Sequence, residues 1–276
     1  MHLVIQGAEV ATPDLKQLAK LSGASRIERL TPEAFRLHDA HPADQIAEMC
    51  ESLQLDHAFV PQSRRLADFR LLVMDMDSTL ITIETIDELA DLVGLKPQVA
   101  AITARAMRGE IEYDESLRHR VALLEGLEES ALDGVYNERL KLTPGAERLL
   151  AEVKRRGIKT LLVSGGFTRI TGRLKPRLGL DYTYANTLES RDGKLTGHVV
   201  GRIVNADGKR DELIRVRDEL GIDRSQIIAI GDGANDLKFM AEAGVSVAFH
   251  AKPVVRTHAT HAINYVGLDG VLNVFN

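Results

Sequence analysis

Asp75 and Asp77, with Met76 between them, follow the apolar run Leu71-Leu72-Val73-Met74. Continued strand alternation would turn the two carboxylates to the same side, so both could face one ligand. At that spacing they repel unless a cation or a proton separates them. An all-oxygen donor set favours Mg²⁺ over zinc. The segment Asp75-Met76-Asp77-Ser78-Thr79 opens like an EF-hand loop, but its sixth position is Leu80 rather than Gly and its twelfth is Ile86 rather than Glu. Calcium binding of that kind is excluded.

Two further segments share this character. Ser164-Gly165-Gly166 follows the apolar run Leu161-Leu162-Val163, with a helix expected from about Phe167. A hydroxyl with two glycines before a helix lets backbone N–H groups approach an anion, although a bare tight turn would look the same. Gly231-Asp232-Gly233-Ala234-Asn235-Asp236 closes a third apolar run. Asp236 stands where a dinucleotide fingerprint needs glycine, and no GxxxxGK[ST] occurs, so a metal or phosphate loop fits better. Asp236 on its own reads equally well as a helix-start residue. Lys209 falls near the start of a helix, where its charge opposes the helix dipole unless an anion lies close. His258 and His261 stand at i, i+3, a spacing that alone is weak evidence for a metal pair.

The elements that must position these groups are readable from periodicity. The run from Leu3 to Val60 gives strand, helix, two strands, helix, strand, a βαββαβ order of ferredoxin-like type. Pro61 to Arg65 reads as a linker. From Asp68 onward, strands at Leu71–Met74, Thr160–Val163, Ile227–Ile230 and Val245–Ala248 alternate with helices. That pattern predicts a mostly parallel sheet covered on both faces, which binds ligands beyond the carboxyl ends of its strands. A helix is expected to open at Thr143-Pro144 and to end at Gly157. Leu188 to Val204 reads as a hairpin turning at Arg191-Asp192-Gly193-Lys194. Between the first core strand and Pro144 lie four amphipathic stretches, Thr85–Val93, Gln98–Met107, Tyr113–Glu125 and Glu128–Leu140. They predict a helical cap over the active edge of the sheet.

Composition bounds the class. The 276 residues are 44% hydrophobic and 27% charged, ordinary globular usage. No apolar stretch approaches a membrane span, and the opening residues lack the pattern of a signal peptide. A net charge of -5 offers no general attraction to nucleic acid or anionic lipid. The single Cys50 excludes an internal disulfide and suits a reducing cytoplasm.

The four core motifs DMDST, SGG, the downstream Lys209 and GDGAND, in that order, resemble the haloacid dehalogenase-like superfamily. Two cap motifs, Glu84-Thr85-Ile86-Asp87-Glu88-Leu89 and Ser116-Leu117-Arg118-His119-Arg120-Val121, bring the resemblance to its phosphoserine phosphatases. It runs from about Phe69 to Asn276. The resemblance implies a doubly wound α/β core over residues 68–276, with a helical cap at about 84–142, preceded by an ACT-like domain over 1–62. It further implies O-phospho-L-serine as substrate and L-serine biosynthesis as the setting. Asp75 would be the nucleophile, Asp77 the general acid and base, and Ser164 and Lys209 the holders of the phosphoryl oxygens. Mg²⁺ would sit on Asp75, the backbone carbonyl of Asp77 and Asp232, with Asp236 supporting that shell through waters or Lys209. Gly165 and Asn235 would help seat the phosphate, Glu84 would meet the substrate ammonium and Arg120 its carboxylate. Met107 and Tyr113 match positions that close over the substrate, Tyr113 standing where phenylalanine is usual. The resemblance allows a homodimer. Two other readings stay open: a related phosphatase or phosphotransferase for another small phosphomonoester, and a catalytically silent amino-acid-binding regulator.

Overall fold

Leu3 and Ile5 alternate onto one face of β1 (His2–Gln6), the first strand of the computed structural model, which describes residues 1–276. They pack on Leu15 and Leu18 of α1 (Thr12–Ser22) and on Ile46 and Cys50 of α2 (Asp44–Ser52). With β2 (Arg26–Thr31), β3 (Ala34–His38) and β4 (Asp56–Val60), β1 forms an antiparallel sheet in the order β2-β3-β1-β4. This is the expected ferredoxin-like order, with both helices on one face.

The larger sheet begins with β5 (Leu71–Met74), whose four residues are all buried, as a strand covered on both faces requires. The cap helices α3 (Thr85–Leu92), α4 (Lys96–Met107), α5 (Tyr113–Ala122) and α6 (Ala131–Gly134) follow. After them come α7 (Ala146–Arg155), β6 (Lys159–Phe167), α8 (Thr168–Leu178), β7 (Tyr182–Arg191), β8 (Lys194–Val200) and α9 (Ala206–Leu220). The chain continues through β9 (Ile227–Gly231), α10 (Leu237–Met240), β10 (Val245–Phe249), α11 (Pro253–Arg256) and β11 (His261–Ile263). Strand order is β11-β10-β9-β5-β6-β7-β8. The pairs β11/β10, β10/β9 and β6/β7 are parallel, and the hairpin β7/β8 is antiparallel.

The chain divides into two compact units. Residues 1–72, 144–158 and 222–276 form one, and residues 73–143 and 159–221 the other. In the first, the small sheet is tied to the C-terminal segment. Asp56 accepts from the backbone N–H of Asn264 (2.7 Å) and Tyr265 (3.0 Å), and Arg36 donates to the Phe275 carbonyl (2.6 Å). In the second, the two stems of the cap are pinned to each other. Ile81 and Leu142 form an antiparallel bridge, and Thr143 donates from its N–H to Leu80 (3.0 Å) and from its hydroxyl to the Thr79 carbonyl (2.7 Å).

Three sequence expectations need correction, and one short strand was not expected. The helix expected at Thr143-Pro144 starts at Ala146, because Gly145 sits at φ 81°, a left-handed conformation that a helix cannot contain. The helix expected from about Phe167 starts at Thr168, but Ser164-Gly165-Gly166, expected between strand and helix, lies inside β6. The hairpin begins at Tyr182 and ends at Val200, although its turn, with Asp192 at φ 52° and Gly193 at φ 78°, is where the sequence put it. The three-residue β11 escaped notice because so short a run carries no readable period.

Candidate active site

The second unit gathers most of the residues singled out by the sequence. Asp75 follows β5 directly, 7% exposed. Its Oδ1 accepts from the Met76 N–H (2.7 Å), and its Oδ2 pairs with Lys209 Nζ (2.9 Å). Lys209 is fully buried. A buried ammonium on the fourth residue of α9 is tolerable only because a carboxylate partners it. The start of α9 is set by Asn205, whose side-chain oxygen accepts from Gly208 N–H (3.0 Å) while its amide donates to Asp114 (2.9 Å).

After Asp75 the chain makes a wide helical turn, Met76–Leu80, in which Ser78 adopts φ 56°. The Ser78 hydroxyl donates to Glu84 Oε1 (2.7 Å), which holds that bend against the first residue before α3. Asp77 faces Thr85: the Thr85 hydroxyl donates to Oδ1 (2.7 Å) and its N–H to Oδ2 (3.3 Å). Burial, reinforced by the negative Glu84, pushes the Asp77 carboxyl up to about 7. That leaves a fraction protonated near neutral pH, as a general acid requires. Burial also raises Glu84, with Asp87 adding to the rise and Ser78 and Arg120 opposing it.

Ser164 is 1% exposed, and its Oγ accepts from Gly166 N–H (2.8 Å). Both glycines are closely approached by side-chain ends. A Cβ on Gly165 would strike the Tyr113 hydroxyl, and one on Gly166 would lie 2.6 Å from Met76 Cε and 3.2 Å from Asp77 Oδ2. Bare backbone lets strand β6 run close beside Asp77. The Tyr113 hydroxyl thus lies beside Gly165, and burial raises its phenol. Met107 differs: it is 64% exposed at the end of α4. On α5, Arg118 is exposed, whereas Arg120 is half-buried, bonds the Ser116 carbonyl (3.3 Å) and is felt electrostatically at Glu84.

In the first unit, the loop after β9 is folded around Asp236. Its Oδ2 accepts from the N–H of Asp232 (3.1 Å) and of Gly233 (3.0 Å). Asp236 stands directly before α10 and caps the short helical turn Ala234–Asp236 at Gly233, so the helix-start reading holds, and the same carboxylate braces the loop. Gly231 is obligatory there, since a Cβ would lie 2.6 Å from Asp236 Cβ. Gly231→Ala is expected to lower stability by about 1–3 kcal/mol through this overlap, read as a drop in the urea midpoint. Asn235 is half-buried in the same loop. His258 and His261 do not pair: His258 Nδ1 bonds the Val254 carbonyl (2.8 Å), while His261 in β11 faces Arg64.

Asp232 and Asp236 in the first unit and Asp75 in the second each offer a carboxylate oxygen to a metal ion. Their donors are all oxygen, which fits Mg²⁺.

Sequence reasoning missed two positioning residues. One is Thr85, quoted within a motif without a role. The other is Asn186, which donates to the Gly165 carbonyl (2.7 Å) and accepts from Val204 N–H (2.8 Å), joining β6 to the segment before α9. Neither has a sequence signal, because a single buried Thr or Asn on a helix or strand looks like any other.

A parallel sheet with a helical cap inserted after its first strand, and aspartates at two strand ends, defines a haloacid dehalogenase-like hydrolase; residues 69–244 match that family's model. Residues 3–46 match a domain of unknown function. A phosphoserine phosphatase of Polaromonas sp. is 55% identical over 215 residues, covering 76% of this chain and 91% of the relative. Among solved structures, a HAD family hydrolase from Salmonella enterica serovar Typhi superposes with TM-score 0.89 at 33% identity, covering 100% of this chain and 98% of its own. A phospho-aspartyl intermediate analogue of phosphoserine phosphatase superposes with TM-score 0.71 at 38% identity, over 75% of this chain and 99% of that one. The chain belongs to the phosphoserine phosphatases of the haloacid dehalogenase-like family.

Proposed function

We infer that the protein hydrolyses O-phospho-L-serine to L-serine and phosphate, the last step of L-serine biosynthesis. The observation that carries this reading is the buried Asp75–Lys209 pair at the end of β5, in a chain of this family. Asp75 Oδ attacks phosphorus and forms an aspartyl-phosphate as the bond to the serine oxygen breaks. Asp77 gives its proton to that leaving oxygen. It then takes a proton from the water that attacks phosphorus and releases Asp75. Ser164, Lys209, Gly165 and Asn235 hold the phosphoryl oxygens, and Lys209 offsets the charge that grows on them in the transition state. Glu84 receives the substrate ammonium and Arg120 its carboxylate, the latter in a bidentate contact.

Mg²⁺ would be held by Asp75, the backbone carbonyl of Asp77 and Asp232, and when bound it neutralises charge between an anionic nucleophile and an anionic phosphate. Asp236 supports this set by fixing the loop that carries Asp232. We assign an N-terminal ACT-like domain to 1–62 and a catalytic core to 68–276, with its cap at about 84–142, on the sequence resemblance alone. No helix is long and apolar enough to cross a membrane. We place the protein in the cytoplasm, where a buried free Cys50 stays reduced.

The test is phosphate release across small phosphomonoesters, with and without metal. Phosphoserine is expected to be the best substrate, EDTA to abolish turnover and added Mg²⁺ to restore it. Turnover that persists in EDTA, or a clear preference for another ester, would contradict this assignment.

A further inference from the structure

The acid–base carboxylate is gripped by one residue through both of its oxygens. Thr85 is fully buried at the first position of α3, its hydroxyl on Asp77 Oδ1 at 2.7 Å and its N–H on Asp77 Oδ2 at 3.3 Å. Two donors on two oxygens fix the carboxyl plane as well as its position. A carboxylate offers about four lone-pair directions. With two of them taken by Thr85, those remaining are aimed away from α3. The neighbouring bonds stiffen the arrangement, since Ser78, one residue after Asp77, is tied to Glu84, one residue before Thr85.

We propose that Thr85 is a positioning residue for proton transfer: it orients Asp77 toward the leaving oxygen of the substrate, and its hydroxyl is the part that matters. The proposal rests on the phosphatase reading and gives the start of the cap a chemical task in addition to recognition. In the step concerned, Asp75 bonds to phosphorus, the phosphorus–oxygen bond breaks with its electron pair going to the leaving oxygen, and Asp77 supplies the proton to that oxygen. A misaimed Asp77 slows this step in proportion to how much the leaving group needs a proton. A serine alkoxide needs one, and a nitrophenolate does not.

The experiment compares Thr85→Val, which keeps shape and N–H but loses the hydroxyl, with Thr85→Ser, which keeps the hydroxyl and loses a methyl. First-product release is followed in single turnovers with enzyme and Mg²⁺ in excess, because this isolates phosphorylation of Asp75 from the later hydrolysis in which Asp77 also acts. With phosphoserine, Thr85→Val is expected to lower the rate about 100-fold, at the lower end of what general acid catalysis contributes. With p-nitrophenyl phosphate it should fall by no more than about threefold, because little protonation is needed. Thr85→Ser should recover most of the phosphoserine rate.

Equal losses on both substrates, no loss on either, or a Thr85→Ser defect matching that of Thr85→Val would each overturn the proposal. So would a Thr85→Val protein that fails to fold together with a Thr85→Ser protein slowed equally on both esters. Wild-type protein that releases nitrophenolate but no serine would instead overturn the phosphoserine reading, and this proposal with it.

Discussion

Asp75→Asn is expected to lower phosphate release from phosphoserine by about four to six orders of magnitude, the scale seen when a nucleophile is removed from a concerted catalytic set. The amide keeps the shape of the side chain and can still accept a hydrogen bond, so β5 and the turn after it have no reason to rearrange. What it lacks is the anionic oxygen that bonds to phosphorus. A rapid acid quench of the wild type with labelled substrate should trap protein-bound phosphate, and the variant should trap none. The same substitution carries a stability cost, because Lys209 is fully buried and would lose its ionic partner. Breaking a buried pair from one side costs about 3–5 kcal/mol. The variant should therefore stay folded by circular dichroism while melting at a lower temperature. Turnover within tenfold of wild type would remove Asp75 from the role of nucleophile.

Arg120→Ala has the second largest expected effect, and it separates recognition from chemistry. A charged partner removed from a buried contact costs about 2–5 kcal/mol, and each 1.4 kcal/mol is a factor of ten. For phosphoserine, kcat/KM should accordingly fall by about 30- to 3,000-fold, mostly through KM. Phosphoethanolamine has the ammonium and the phosphate of phosphoserine but no carboxylate, so its kcat/KM should change little. Equal losses for both esters would mean that Arg120 supports α5 and does not receive the carboxylate. The placement behind this prediction is specific: Arg120 is half-buried and contributes to the electrostatics at Glu84, while Arg118 is exposed.

The case of Arg118 and Arg120 also marks a limit of sequence reading. Two positions along a helix differ by about 200° around its axis, so their spacing says that they face different ways. It cannot say which faces inward, because α5 carries polar residues around most of its surface. Thr85 is the same problem in a harder form. Its partner Asp77 is eight residues away across a turn whose Ser78 adopts φ 56°, and no propensity places a serine there. The turn exists because the Glu84 carboxylate holds the Ser78 hydroxyl. The sequence reads Gly165 and Gly166 as bare backbone before a helix that can approach an anion, whereas the structure keeps them inside a continuing strand with Tyr113, Met76 and Asp77 close beside them.

The sequence by itself determined most of the element order, the two sheets and the cap inserted after β5, and its motifs carry the resemblance that names the groups expected to do chemistry. The elements follow from periodicity along the chain, which is a local property. Only the tertiary structure decided that Lys209 pairs with Asp75 and that Thr85 grips both oxygens of Asp77. Such partnerships depend on side-chain direction and on how far water is excluded, and both are set when distant segments pack together.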